Sequence, residues 1–344
     1  MRLQNTMKIQ RAHQIRLYPK GEQFVQLAKS AGTARYAYNW ALDKWIKMYQ
    51  AVEDGASTEK PSAFKLCNIW TGEKPGWADE VTSNAPRRAI MDVGVAFGNL
   101  IKGNARHPQF HKKGRRESFY VDNTKAYIKG DIIHLPKIGK VKMAEELRYS
   151  GKIMSYTVSE EAGMWFVSVQ VEFEEPPHPC VAPDSVVGID VGLATPATAS
   201  DGTVCTAPAK LKRLEKNLKQ RQRKLSKARK GSKNRSKLLR RKQKVQHRIN
   251  NIRKDATHKF TAAITKSHGV VVVEDLDIAE MKSKSPAHLR RSLQASMMGE
   301  IIRQLSYKAL HLIKAPRYYP STKKCSKCGN IRDSVGLSER TYIC

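Results

Sequence analysis

"SVVGIDVG" at 185–192 and "GVVVVEDLDI" at 269–278 decide how the second half of this chain folds. Each is an apolar, valine-rich run that delivers one acid near its end, Asp190 in the first and Glu274 in the second. An apolar run without polar alternation is the pattern of a strand buried on both faces, as in a parallel sheet. A carboxylate in such a place is costly unless a partner stabilises its charge. Read alone, Asp190 also fits an ordinary carboxylate at a strand edge or turn. Two such strands, each ending in one carboxylate, point to convergence on a shared divalent metal. Hard oxygen ligands suit Mg2+ or Mn2+. Asp275 and Asp277 follow directly and are expected to solvate or cap the next turn.

Between the two runs lies a strongly basic stretch. Residues 209–260 hold 22 Lys or Arg against two acids, Glu215 and Asp255. Leu211, Leu214, Leu218, Leu225 and Ala228 keep a heptad-like spacing. After "KGS" (230–232) it resumes at Leu238, Val245, Ile249, Ile252 and Phe260. Two antiparallel basic helices follow from that pattern. A solvated coiled coil is the plainer reading, but charges of one sign repel unless phosphates neutralise them. Arg221, Arg223, Lys224, Arg240, Arg241, Lys242 and Lys244 are the candidate phosphate contacts. The whole chain has 63 Lys and Arg against 31 acids, a formal charge of +32 over 344 residues. That balance implies a polyanionic partner, and nucleic acid before a membrane surface.

The first half reads as a strand at Ile9–Tyr18, helices over 20–51, 64–70 and 84–102, and a basic stretch, "PQFHKKGRRESF" (108–119). Short strands are expected over 125–143, and a hairpin at 153–159 and 165–173 around "EEAG". "EEPPHP" (174–179) is the best domain boundary. Beyond the basic helices the expectations are a hairpin over 194–206 around "SDG", a helix over 290–313 and a strand at 315–319.

Near the end, Cys325 and Cys328 form a C-x-x-C pair, and Cys344 is the last residue. A structural zinc site uses four tetrahedral ligands, usually two such pairs. The pair therefore reads as part of a Zn2+ site whose fourth position lies past the sequence. Cys67, Cys180 and Cys205 read as ordinary thiols, and six cysteines in a chain of this length do not form a disulfide framework. No apolar run approaches the roughly 20 residues of a spanning helix. Residues 1–20 have no apolar signal core. The expectation is a protein of a reducing cytoplasm, with no membrane and no obligate protein partner.

"GIDVGLATPATASDG" with "VVVVEDL" resembles the RuvC-like nuclease domain, of the RNase H fold. The likeness extends along the chain through "IRLYP" (15–19), "ARYAYNWAL" (34–42), "PQFHKKGRRESF", "LPKIGKVKM" (135–143), "RQLSYKA" (303–309), "YYPSTKKCSKCG" (318–329) and "RTYIC" (340–344). In this order these motifs resemble the TnpB family, transposon-encoded RNA-guided DNA nucleases related to compact type V CRISPR effectors.

The resemblance implies an α+β multidomain fold: a split wedge β-barrel at 1–20 and 107–179, a helical recognition insert at 21–106, and a RuvC-like domain at 180–322. It places the basic helical hairpin at 209–267 and an incomplete zinc ribbon at 323–344. By resemblance Asp190 and Glu274 are catalytic and bind Mg2+, and Cys325, Cys328 and Cys344 bind Zn2+. A guide RNA and target double-stranded DNA are the implied partners. The family's second C-x-x-C and third catalytic aspartate have no counterpart here, which implies impaired cleavage. A nuclease-inactive RNA-guided repressor and a transposase acting without RNA are the alternative readings.

Overall fold

The computed structural model describes residues 7–114, 117–175, 182–317, 319–320, 323–325 and 328–332. The chain divides into two compact units, Met1–Pro177 with Arg229–Lys244, and His178–Ala228 with Val245–Cys344.

The first unit opens with β1 (Met7–Tyr18), whose alternation buries His13, Ile15 and Leu17 on one face. Three helices follow, α1 (Glu22–Glu53), α2 (Ala63–Glu73) and α3 (Asn84–Ile101). The buried face of α1 is rich in alanine: Ala31, Ala34, Ala37 and Ala41. Such small residues let α3 pack closely through Ala85, Ala89, Ile90 and Val93. At Gly94 an added Cβ would stand 2.9 Å from that of Ala63, so glycine is what allows α2 and α3 to meet.

The remaining strands of this unit are β2 (Glu117–Asp122), β3 (Tyr127–Lys129), β4 (Ile132–Leu135), β5 (Gly139–Met143), β6 (Lys152–Glu161) and β7 (Met164–Glu175). They join β1 in one antiparallel sheet of order β2-β6-β7-β1-β5-β4-β3. The β6–β7 turn has positive φ at both central residues, Ala162 (56°) and Gly163 (80°). That is the primed geometry whose twist suits a two-residue hairpin. The sheet is open, not the closed barrel expected from the sequence. β3 at one edge is only three residues long, and β2 at the other edge shares its buried Phe119 and Val121 with the core formed by α1 and α3. β2 itself escapes the sequence reading, because only Phe119 and Val121 of "ESFYVD" are buried and the flanking charges hide the alternation.

The second unit is built on β8 (Val186–Asp190), β9 (Ala197–Ala199), β10 (Val204–Cys205), β11 (Val270–Glu274) and β12 (His311–Ala315), in the order β10-β9-β8-β11-β12. β8, β9 and β10 form an antiparallel meander; β11 runs parallel to β8, and β12 parallel to β11. α4 (Lys210–Lys227) and α5 (Lys233–Ser267) connect β10 to β11. Then come α6 (Ile278–Lys284), α7 (Ala287–Ala295) and α8 (Met298–Lys308). Val187, Ile189, Val271 and Val273 form one buried cluster with Phe260 and Ile264 of α5 and Ile301 and Leu305 of α8.

The single helix expected over 290–313 is broken. The backbone is extended at Ser296 and again at Ala309. His311 to Ala315 then pairs with β11, so sheet pairing overrides the helical spacing and the strand expected at 315–319 begins earlier. Among the described residues no helix is long and apolar enough to cross a membrane.

α5 and α8 are also joined by a buried polar network. Thr257, Thr261 and Gln304 are fully buried, and Thr261 donates to Gln304 at 2.8 Å. The Lys308 ammonium reaches Thr261 Oγ1 at 2.7 Å and His258 Nδ1 at 3.1 Å. Burial, and then the Lys308 cation, hold the His258 imidazole below its ordinary pKa. Below about pH 6.5 the unfolded chain takes up a proton that folded His258 resists. Stability from this site is therefore complete above that pH and falls as the pH drops below it. We predict an NMR titration midpoint for His258 below 6.5, and a smaller loss of melting temperature between pH 7 and 5 in His258→Gln. A midpoint at or above 6.5 would contradict this.

Candidate functional site

The site is built by strand register. β11 pairs with β8 at constant offset, from Val270 opposite Val186 to Val273 opposite Ile189. One further step sets Glu274 beside Asp190 at the carboxyl ends of two parallel strands, where neighbouring strands lie about 4.8 Å apart. Asp190 pairs with Thr198 on its other side, and Glu274 with Ala315. The row across four strands is thus Thr198, Asp190, Glu274, Ala315, with small side chains flanking the two acids.

Both acids are exposed. The strands are not buried on both faces, as their apolar runs suggest. Val187, Ile189, Val271 and Val273 face the core, while Val186, on the acids' side, is 62% exposed. Side-chain alternation therefore puts Asp190 and Glu274 on the face away from that core.

The neighbouring acids are occupied. Asp275 pairs with Lys314 at 3.1 Å and Arg317 at 3.6 Å. Asp277 caps α6, accepting from Glu280 N at 2.9 Å. Glu300 pairs with Arg303, whose hydrogen bonds hold its carboxyl down at about 2. Asp190 and Glu274 have no side-chain hydrogen bond or ion pair among the described residues. In a chain of charge +32, two adjacent acids that attract no protein cation are suited to an external one. They are a pair only: no group of three or more potential ligands is present among the described residues.

Glycine fixes the start of the strand pair. At Gly269 an added Cβ would lie 1.9 Å from the Pro183 carbonyl oxygen, so the chain leading into β8 crosses directly over it. Gly269 N donates to Ala182 O at 3.1 Å, and Val270 N to Ser185 O at 3.0 Å. Here too lies a clamp that sequence reading misses. Ser185 Oγ stands 2.7 Å from His268 Nδ1, and His268 Nε2 stands 3.1 Å from Asp201 Oδ2. It ties the starts of β8 and β11 to the β9–β10 turn, at the opposite strand ends from Asp190 and Glu274. Nothing but spatial adjacency links the three residues, so no local motif announces them.

Both basic helices form as their spacing predicts. Leu211 and Ile249 are buried, and Leu214, Leu218, Leu225, Leu238 and Val245 are half-buried between exposed cations. Arg253 on α5 pairs with Glu215 on α4 at 2.6 Å, and Asp255 with Lys259 at 2.9 Å, so both acids of the stretch are used internally. Arg223, Lys224, Arg240, Arg241 and Lys244 are exposed; Arg221 and Lys242 are half-buried, and Arg221 donates to Asn217 at 2.7 Å.

Cys325 is buried and Cys328 exposed, on a turn in which Gly329 (φ 75°) donates to Cys325 O at 3.0 Å. Lys324 and Ile331 form an antiparallel bridge across it. Cys344 lies outside the described residues.

Comparison with known proteins agrees with this architecture. A family described as "Probable transposase" matches residues 168–285, and one described as "Helix-turn-helix domain" matches 7–54. The second description does not fit the shape here, because residues 7–54 fold as a strand and one 32-residue helix. The "Putative RNA-guided DNA endonuclease InsQ" of Escherichia coli (strain K12) is 31% identical, over 98% of this chain and 88% of its own. A "Putative RNA-guided DNA endonuclease" of Streptomyces pristinaespiralis is 29% identical, over 98% and 85%. The solved "Cas12f1-sgRNA-target DNA complex" shares the fold with a TM-score of 0.50 at 14% identity, covering 96% of this chain and 93% of that one. The chain is a mixed α/β protein and belongs to the TnpB family.

Because Gly269 sets the entry of β11 beside β8, Gly269→Ala is expected to destabilise the chain by about 1–3 kcal/mol through overpacking against backbone. Chemical denaturation checks this, and a change within 0.5 kcal/mol of zero would show that the Pro183 crossing yields freely.

Proposed function

We propose that this chain is an RNA-guided DNA endonuclease with a RuvC-like catalytic unit. The observation that supports it best is the placement of Asp190 and Glu274, in register, solvent-facing and without side-chain partners among the described residues, at the carboxyl ends of parallel strands. A meander followed by two parallel strands, in the order seen here, fits the RNase H-like arrangement. Asp190 and Glu274 would hold Mg2+ or Mn2+, which would activate the attacking water and stabilise the leaving oxygen of a phosphodiester. The flanking Thr198 and Ala315 leave space above the carboxylates, and the hydroxyl of Thr198 adds a hydrogen-bonding group at the row's edge.

The two basic helices support the guide RNA reading, since their own two acids are already paired and, apart from Lys259 on Asp255 and Arg240 near Glu160, most of their exposed cations are left for phosphates. The turn holding Cys325 and Cys328 suits a Zn2+ site, with Cys344 as the third thiolate. Base pairing by the guide would read the target, while the protein reads backbone shape and a short flanking motif. Two carboxylates supply few of the oxygen ligands that a two-ion site requires. On this reading the polypeptide binds guide RNA, and Asp190 and Glu274 would need further oxygen ligands, from substrate or water, to hold two ions.

Three measurements test this. The purified chain should retain an RNA that RNase removes; its absence would favour a transposase acting without RNA. Replacing Arg240, Arg241, Lys242 and Lys244 together by Ala should flatten the dependence of log K on log salt by roughly 3.6 for a duplex-like partner. An unchanged slope would return the hairpin to a structural role. Mn2+ binding, followed by paramagnetic resonance of the free ion, should weaken at least tenfold in Asp190→Asn and in Glu274→Gln. Unchanged binding, or cleavage that survives either substitution, would contradict the assignment.

A further inference from the structure

From Val93 to Arg116 the sequence has no acid and six cations, Lys102, Arg106, Lys112, Lys113, Arg115 and Arg116. The part of this segment that crosses α1 is pinned at several points. Asn39 donates from Nδ2 to His111 O at 3.0 Å, and its Oδ1 accepts from His111 N at 2.7 Å. The His111 ring lies flat on Tyr38, with centroids 3.8 Å apart and planes 2° from parallel. Upstream, His107 meets Phe97 edge-on at 5.7 Å. Downstream, Arg35 holds Glu117 at 2.5 Å, and Glu117 accepts from Gly114 N at 2.7 Å.

Between these anchors Phe110 is 51% exposed and has no ring contact among the described residues. A loose loop would turn such a ring back onto protein; a loop held on both sides keeps it out. Arg106, Lys112 and Lys113 around it are all exposed. A rigidly presented aromatic face among cations, on a segment that itself carries no acid, is the arrangement that takes up an unpaired base and its flanking phosphates.

We infer that Phe110 is a base-stacking side chain, receiving an unpaired nucleobase while Arg106, Lys112 and Lys113 hold the adjoining phosphates. This rests on the nucleic-acid reading above and adds to it a defined contact outside the carboxylate site and the basic hairpin. The strand is single-stranded RNA or single-stranded DNA, which offer the same chemistry.

The test uses the full chain and two oligonucleotides of about 12 nucleotides, one RNA and one DNA, each with a central 2-aminopurine. Fluorescence quenching and affinity are read at several salt concentrations. Quenching is expected with at least one strand, and the strand whose quenching depends on Phe110 identifies the source. Phe110→Ala should abolish that quenching and weaken binding on the order of tenfold without altering the salt slope. Phe110→Trp should retain the quenching. Lys112→Ala with Lys113→Ala should instead lower the salt slope by about 1.4. Equal quenching and affinity in Phe110→Ala would overturn the inference, as would full quenching in Phe110→Leu, which keeps apolar bulk but has no aromatic face. If the unmodified chain binds neither oligonucleotide, the nucleic-acid reading itself falls; if it binds without dependence on Phe110, only this inference does.

Discussion

The parallel pairing of β8 with β11 is the constraint on which the second unit depends. The strands are far apart in sequence, with the whole basic hairpin between them, and their register is fixed locally by the close crossing at Gly269. A one-residue slip would turn every side chain to the other face. It would bury Glu274 or expose the valines opposite Val187 and Ile189. The same alternation that fills the core with four apolar side chains thus places Asp190 and Glu274 side by side in solvent.

Charge is divided between the protein's own needs and its surroundings. In the second unit most acids are spent on structure: Asp275 on Lys314 and Arg317, Asp277 on a helix cap, Glu215 on the hairpin, and Glu300 on α8. The two at the strand ends are not. In the first unit, Arg35–Glu117 and Asn39–His111 hold a cationic segment along α1, so that positive charge and an aromatic ring are presented in fixed geometry. Most of the excess of +32 remains without internal compensation. A compact state with that excess is stabilised by a polyanion.

What could be read from the sequence follows from the range of the interactions involved. The β6–β7 hairpin, the three helices of the first unit and the two basic helices α4 and α5 rest on local spacing and turn chemistry, and the sequence reading locates each of them. Asp190 and Glu274 stand out because each is an acid near the end of an apolar run. Their solvent-facing orientation does not, since valine fills both faces of β11 and hides its alternation. β2, the open edge of the first sheet and the break between α7 and α8 depend on pairing partners distant in the chain. The Ser185–His268–Asp201 clamp is assembled from three separate elements, so only the fold discloses it.

The central claim is that Asp190 and Glu274 form one divalent-cation site on an RNA-guided nuclease. Anomalous diffraction from crystals of the full chain soaked in Mn2+ tests it most directly. The account predicts a peak between the two carboxylates, within about 2.0–2.3 Å of an oxygen of each, from the Mg2+ distance to the short end of the Ca2+ range. Ordered, metal-free carboxylates at this position, with Mn2+ bound elsewhere, would contradict it.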